Sequence, residues 1–149
     1  MLDLYRFNMA DIEDVALQDR TKYAVYDEGM WLSPVGNAAN EWLMSASATV
    51  STDPSTELAK VLFMEKNRTD AKAVGKMTVV CGAAVRARTD MFIVADAATM
   101  AVGKPLTLKL DVDGIVKLGL AGVGDIIKAH VFMKPADDPD GLLHFQLIR

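Results

Sequence analysis

The stretch KPADDPDGLLHFQLIR, residues 134–149, places several carboxylates just before His144. Clustered carboxylates are ligands for hard cations such as Ca²⁺, and histidine is a common ligand for transition metals. Pro139 presets a turn conformation, however, and Asp140-Gly141 is a common turn-closing pair. The bidentate acidic residue of a helix-flanked calcium loop is also missing. We therefore interpret DDPDG as the corner of a β-hairpin and predict no metal ligand there.

The two histidines are a second candidate site. If the strands on either side of the corner pair so that His130 faces Gln146, then His144 faces Phe132. Both histidines would then lie diagonally on the polar face of one hairpin. A zinc site needs further ligands, and the sequence offers no other His or Cys at ligand spacing. We interpret His130 and His144 as surface residues.

The remaining motifs give weaker indications of chemistry. DVDG at 111–114 has two carboxylates but reads as a turn, and the glycine-rich GLAGVGD at 119–125 lacks the Lys-Ser/Thr of a phosphate loop. No serine occurs in a Gly-x-Ser-x-Gly elbow. Cys81 lies in an apolar run, where a small buried side chain is expected. The sequence therefore predicts no catalytic residue, no cofactor and no metal.

Composition bounds the class of protein. The chain has 149 residues, 51% of them hydrophobic and 24% charged, which fits a single domain over residues 1–149. Its net charge is −4 with Lys and Arg scattered along the chain, which argues against a nucleic-acid partner. No apolar run is long enough to cross a membrane, and the acidic start MLDLYRFNMADIED does not resemble a signal peptide. A single cysteine fits a protein made in a reducing cytoplasm.

Alternating apolar residues predict the elements that would position these side chains. In PLTLKLDVDGIVKLGL a period of two precedes Asp113-Gly114, which predicts a hairpin over residues 105–119 with a two-residue type I′ turn. The same alternation predicts strands in DIIKAHVFMK and LLHFQLI. TKYAVYDEGMWLSPV, AKVLFMEKN and GKMTVVCGAAVRARTDMFIVAD supply further strands. Trp31, within the first of these, is expected in the core.

Two segments predict short helices, residues 11–20 and residues 53–63, because each has a capping residue and an acidic first turn. The fold class is therefore mostly β. We expect a single small β-barrel or β-sandwich with one or two short helices and an extended N-terminal arm.

Two segments are candidates for contact with other proteins. Residues 1–20 would form the arm and a short helix, and residues 33–56, rich in Ser, Ala, Thr and Asn, would form a long loop. An edge strand packed on its own domain is the alternative for the first ten residues. The candidate interface residues are apolar side chains of the arm and one tryptophan of the loop: Leu2, Leu4, Tyr5, Phe7 and Trp42.

The stretch DEGMWLSPVGNAANEW and the ending VGKPLTLKLDVDGIVKLGLAGVGDIIKAHVFMKPADDPDGLLHFQLIR resemble the small β-barrel decoration, or cement, proteins of tailed-bacteriophage heads. The resemblance lies in the order of elements over about the last third of the chain: a GKPLTLK strand, a Gly-containing hairpin, a GDIIKAHVF strand and a final strand. No individual binding residue is matched by it.

The resemblance implies a non-enzymatic virion protein, made in the host cytoplasm, that binds the outer capsid surface and bridges major capsid subunits. Other virion subunits are alternative partners, and self-association into a homo-oligomer stays open. Two other functions also remain open. One is a tail-tube or head-completion subunit that self-assembles. The other is a small ligand-binding barrel or enzyme, with His130, His144 and the acidic corner as its candidate residues.

Overall fold

The computed structural model describes residues 1–6, 12–17, 27–38, 41–66, 76–80, 82 and 84–148. Within them the strands are β1 Leu2–Arg6, β2 Ile12–Leu17, β3 Trp31–Ala38, β4 Glu41–Ala46, β5 Val61–Lys66, β6 Lys76–Val80, β7 Arg86–Thr89, β8 Pro105–Leu110, β9 Val116–Leu120, β10 Ala129–Met133 and β11 Leu143–Leu147. The helices are α1 Pro54–Leu58 and two 3₁₀ helices, Val94–Thr99 and Pro135–Asp137. The predicted mostly β fold with short helices is confirmed.

The strands form two sheets. One is antiparallel and six-stranded, in the order β1-β7-β11-β10-β8-β9. The other five strands pair in the order β2-β4-β3-β5-β6, and β6 pairs back with β2, so we call them the five-stranded ring. Within the ring only β2 and β4 run parallel. The two layers fit the sandwich alternative of the predicted fold class.

The main core lies between the six-stranded sheet and the ring. Alternate residues of the sheet, among them Leu106, Val131 and Phe145, pack with Trp31 and Leu62 of the ring. Trp31 is 2% exposed, as expected for a core residue. A smaller cluster belongs to the ring alone and consists of Leu32, Met44, Phe63 and Val79. Burial of these apolar faces is the main force that holds the layers together.

The predicted hairpin at 105–119 is present as β8 and β9, but its turn is not the predicted type I′. Leu110 pairs with Val116, so five residues connect the strands. Gly114 has a positive φ of 80°, whereas Asp113 does not, and a type I′ turn needs both. Asp113 Oδ1 instead accepts a hydrogen bond from the Ile115 N–H at 3.0 Å. Side-chain hydrogen bonding thus stabilises a five-residue connection, longer than the two-residue turn that the Asp-Gly pair predicted.

The helix predictions are corrected at both places. Residues 12–17 of the predicted helix 11–20 form β2, because residues 12–16 pair with β6 and residues 16–17 pair with β4, and tertiary pairing overrides a capping signal. The predicted helix 53–63 is limited to α1. Asp53 does cap it, since its carboxylate accepts the Ser55 N–H at 2.9 Å. The chain then enters β5 of the ring.

The predicted arm and the predicted long loop are both largely strand. Residues 2–6 form β1, which pairs with β7 at the edge of the six-stranded sheet, so the edge-strand alternative is the one observed for them. The prediction of a loop over 33–56 is wrong where β3 and β4 form a hairpin. Pro34 and Gly36 flank a bulge in β3, which accommodates loop-like residues within a paired strand. Residues 47–53 join β4 to α1.

Candidate functional site

One half of the six-stranded sheet has an accessible second face. Residues of β1, β7, β11 and β10 that alternate with the core residues point away from the ring. We call this surface the outer face and define it by Asp3, Tyr5, Arg86, Arg88, His130, Phe132, His144 and Gln146. Over β8 and β9 the corresponding surface is contacted by the 3₁₀ helix Val94–Thr99, where Asp96 binds Lys109 and the Leu120 N–H. On the outer face, by contrast, Tyr5, His130 and Phe132 are exposed.

Asp138 organises one end of the outer face. Its side chain is 2% exposed, and Oδ1 accepts the backbone N–H groups of Asp140 and Leu142 at 2.8 and 3.2 Å. Oδ2 lies 2.5 Å from Nε2 of His144. The hydrogen bond from His144, followed by those from the backbone, lowers the pKa of the Asp138 carboxyl. Asp138 is thus a fixed acceptor that holds the corner between β10 and β11.

Arg88 ties the edge strand to the same corner. Its Nε donates to Asp3 on β1 at 2.9 Å, while Nη1 lies 3.8 Å from Asp140 and 4.0 Å from Asp138. Gly141 takes the positive φ that the turn requires and donates its N–H to the Asp138 carbonyl at 3.0 Å. The interpretation of DDPDG as a hairpin corner is therefore confirmed.

The second acidic motif, DVDG, also forms a turn. Lys117 donates to the carboxylates of Asp111 and Asp113 at 2.7 and 2.6 Å. Although burial opposes a charged amine, these two hydrogen bonds raise the pKa of Lys117, and they lower the pKa of both aspartates. In the part of the chain that the structure describes, no group of three His, Cys, Asp or Glu residues is arranged to hold a metal ion.

The pairing of β10 with β11 partly follows the predicted register. His130 lies opposite Gln146, as predicted, but His144 lies opposite Met133 and not opposite Phe132. A bulge between Val131 and Met133 shifts the register by one residue. His130 is exposed on the outer face, whereas His144 is engaged by Asp138, so the two histidines occupy different environments.

Phe132, the bulged residue, belongs to a group of aromatic and cationic side chains. We call Tyr5, Arg86 and Phe132 the aromatic-arginine group. The Tyr5 and Phe132 ring centroids are 6.4 Å apart, and the Arg86 guanidinium carbon lies 4.1 Å above the Phe132 ring. Arg86 Nε also donates to Gln146 at 2.9 Å. Burial raises the pKa of the Tyr5 phenol, and the charge of Arg86 opposes that rise.

The aromatic-arginine group adjoins an open depression of about 810 Å³, lined by Leu2, Asp3, Leu4, Tyr5, Arg88, Phe132, Met133 and His144. Tyr5 and Phe132 remain 45% and 38% exposed. Exposed aromatic residues and arginine are enriched at protein interfaces, because they combine a large apolar area with hydrogen-bonding groups. The exposed residues of this surface are of the types that protein interfaces favour.

The predicted interface residues fall in different places. Tyr5 lies in the aromatic-arginine group, but Leu2 is 6% exposed and belongs to the core, and Leu4 packs against it. Strand alternation accounts for this, because β1 turns every second side chain inward. Phe7 lies outside the described residues. Trp42 is in β4, opposite Asn37, and its side chain is likewise outside the description.

Sequence reasoning missed Arg86 and Phe132. Phe132 stands in DIIKAHVFMK, where the alternation of Ala129, Val131 and Met133 assigns it to the polar face. A phenylalanine at a position that alternation assigns to solvent could have indicated a contact surface. In AVRART, Arg86 flanks the buried Ala87, so alternation assigns Arg86 to the same solvent-facing side of its strand.

A second polar cluster is buried between the layers. Lys128, just before β10, is 1% exposed and donates to the carbonyls of Lys60 and Leu58 at 2.8 and 3.3 Å. Its ammonium lies 5.2 Å from the Trp31 ring centroid. Burial lowers the pKa of Lys128 to about 8, with the nearby Glu57 opposing the shift. Glu57 is itself paired with Lys60, so the cluster is internally connected.

No protein-family model matches the chain, and comparison with curated proteins and with solved structures finds no match either. None of the helices in the described ranges combines the length and the apolar composition needed to cross a membrane.

Proposed function

We propose that the protein is a non-enzymatic structural protein that binds the outer surface of a phage capsid and stabilises contacts between major capsid subunits. The observation that carries this proposal is the aromatic-arginine group, exposed beside the edge strand β1 on a sheet whose other face is core. The partner comes from the resemblance to decoration proteins. The stretch that carries most of the resemblance, residues 102–149, supplies the adjacent strands β8 to β11.

Binding would combine side-chain and backbone contacts. β1 pairs with β7 on one side only, and within the described residues its other edge has no strand partner. An extended segment of a capsid subunit could add to this edge, with Tyr5 and Phe132 beside it as apolar anchors. Individual contacts of this size are modest, but repetition over a capsid lattice makes them collectively strong.

The test is co-sedimentation with empty shells assembled from the major capsid protein encoded in the same genome. We expect saturable binding at a fixed ratio to the capsid subunits. Tyr5→Ala and Phe132→Ala should each weaken it by about tenfold, the effect of losing an interface anchor. Val123→Ala is the matched control, because Val123 is fully exposed on a loop away from β1 and should be neutral.

Absence of binding to the shells would contradict the proposal, and so would equal binding by all three variants. Light scattering of the purified protein over a wide concentration range tests the tail alternative. A monomer or small closed oligomer agrees with decoration, whereas open-ended rings or tubes would favour a tail-tube subunit instead.

A further inference from the structure

A row of polar side chains crosses the outer face beside the aromatic-arginine group. Arg6 of β1 lies opposite Arg86 of β7, Arg86 lies opposite Gln146 of β11, and Gln146 lies opposite His130 of β10. We call these four residues the basic row. β1 bulges between Leu4 and Arg6, so Arg6 lies opposite Arg86 and joins Tyr5 on the outer face. Directly opposed residues of antiparallel strands share a face, so the four side chains form one line.

The two arginines of the basic row are adjacent like charges. Such a cross-strand pair is destabilising unless an anion lies near it. In the described part of the chain, no carboxylate lies within ion-pair distance of Arg6 or Arg86. Arg88, on the neighbouring row of the same face, is by contrast surrounded by Asp3, Asp138 and Asp140. Among the described residues, two arginines without an ion-pair partner therefore lie side by side on a chain whose net charge is −4.

Arg86 is also held in place before any ligand arrives. Gln146 accepts its Nε hydrogen at 2.9 Å, and the Phe132 ring supports the guanidinium from below at 4.1 Å. Among the described residues, the terminal guanidinium nitrogens have no hydrogen-bond partner, so they can donate to a ligand. A planar guanidinium matches the two oxygens of a carboxylate, and prior orientation reduces the entropy lost on binding.

We propose that the basic row binds the carboxylates of an acidic, extended segment of the partner protein. The opposed arginines supply the charge complementarity, and the edge of β1, which no other described strand pairs with, suits an extended chain. This inference rests on the proposed function only in taking the partner to be a protein. It names the chemistry of the segment: carboxylates on one face of an extended chain, in register with Arg6 and Arg86.

The probe is a synthetic peptide of alternating Glu and Val, with a Gln-and-Val peptide of equal length as its uncharged counterpart. We expect the full-length protein to bind the Glu peptide, measured by calorimetry, and to bind the Gln peptide about tenfold more weakly or not at all. Arg6→Gln and Arg86→Gln should each reduce affinity for the Glu peptide by about tenfold. Lys104→Gln removes an exposed cation next to β8, three strands from β7 and Arg86, and should leave affinity unchanged.

Arg86→Lys is a control for misfolding. It keeps the positive charge but loses the bidentate hydrogen-bond donor of the guanidinium. Intermediate affinity with an unchanged melting temperature supports the proposal. Equal affinity for the Glu and Gln peptides would overturn it, and so would arginine variants that bind like the unaltered protein. Tighter binding of a single-stranded oligonucleotide of the same charge would overturn the choice of a protein segment. If the protein binds the Glu peptide but does not bind capsid shells, the proposed capsid partner is rejected, whereas the proposal that the basic row binds carboxylates is retained.

Discussion

Asp138 shows how one carboxylate can define a turn. It collects hydrogen bonds from two backbone N–H groups and from His144, and its side chain is shielded from water. All of these contacts favour the ionised form, which is why the pKa of Asp138 is lowered. The Asp138 carboxylate is consequently part of the fold of this corner.

We predict an acid-dependent loss of stability at Asp138. Its pKa is lower in the folded state than the ordinary 3.8, so the unfolded chain takes up the proton first as pH falls. The stabilisation is complete above the ordinary value and disappears as pH falls through the folded value. Asp138→Asn should lower the urea midpoint at pH 7 and flatten its decline in acid. Urea unfolding between pH 2.5 and 7 measures both effects.

Asp140→Asn is the matched control, since the Asp140 side chain is 70% exposed and makes only a long contact with Arg88. It should unfold like the unaltered protein across the same range. An Asp138→Asn variant with an unchanged midpoint at pH 7 would show that the corner forms without this carboxylate.

At the scale of elements, the contact between β9 and the 3₁₀ helix Val94–Thr99 depends on a missing side chain. A Cβ atom on Gly119 would lie 2.7 Å from Lys109 Cδ, 2.8 Å from Asp96 Oδ2 and 3.0 Å from Ile93 Cγ1. The Asp96 carboxylate is already committed to Lys109 and to the Leu120 N–H. It has little freedom to move away.

Gly119→Ala is therefore predicted to destabilise the fold by about 1–3 kcal/mol, the cost typical of overpacking. Thermal or urea unfolding measures it. Gly122→Ala serves as the control, because its added Cβ would meet only Asp125 Oδ2, at 3.4 Å. Equal stability of the two variants would mean that the 3₁₀ helix shifts freely on β9.

The sequence predicted elements well where alternation alone determines them. β10 and β11 bury alternate residues, and β8 and β9 bury the alternating Leu106, Leu108, Val116 and Leu118, so period two identifies these strands directly. β2 was mistaken for a helix because its partner β6 lies more than fifty residues away and local capping residues suggested a helix start. The turn of the β8–β9 hairpin was missed because Lys117 and two aspartates favour a longer link. The local pattern of apolar and polar residues does not determine long-range strand pairing or side-chain networks.

For the whole molecule, the connection between the two layers includes a buried charge. Lys128 is 1% exposed, and its pKa is lowered to about 8 chiefly by burial. Glu57, Lys60 and the Trp31 ring are the charged and aromatic groups around it. Protonation of Lys128 therefore opposes close packing of the sheet on the ring.

We predict that stability rises with pH above 8 because of Lys128. Between about 8 and the value of about 10.4 for a free lysine, the unfolded chain binds more protons than the folded one. The free energy of unfolding should then increase by up to about 1.4 kcal/mol per pH unit. Below pH 8 both states are protonated and this contribution is constant. Urea unfolding from pH 7 to 10 measures the slope.

Lys128→Met should remove that slope, whereas Lys104→Met, at an exposed position, should retain it. The comparison uses slopes, so it is insensitive to the hydrogen bonds that Lys128→Met also removes. Identical slopes in both variants would assign the pH dependence to other groups.

The candidate site was only partly predictable from the sequence. Tyr5 was identified because it is an apolar aromatic near the start of the chain. Its neighbours Arg86 and Phe132 come from segments about 80 and 127 residues further on. They meet it because β1 and β11 lie on either side of β7 and because β10 bulges at Phe132. The strand order of the sheet and the bulge at Phe132 bring the aromatic-arginine group together, and the alternation of apolar residues determines neither of them.

The position of β1 also has a consequence for synthesis on the ribosome. Arg6 ends β1 and Arg86 begins β7, 80 residues later, with the whole five-stranded ring encoded between them. At the usual ~5–20 residues per second, β1 waits roughly 4–16 s for the strand that buries Leu2. β7 in turn has no partner on its other side until β11 has been synthesised. The ring can assemble during this interval, but the nascent sheet cannot, so β1 stays open to premature association while the chain is being made.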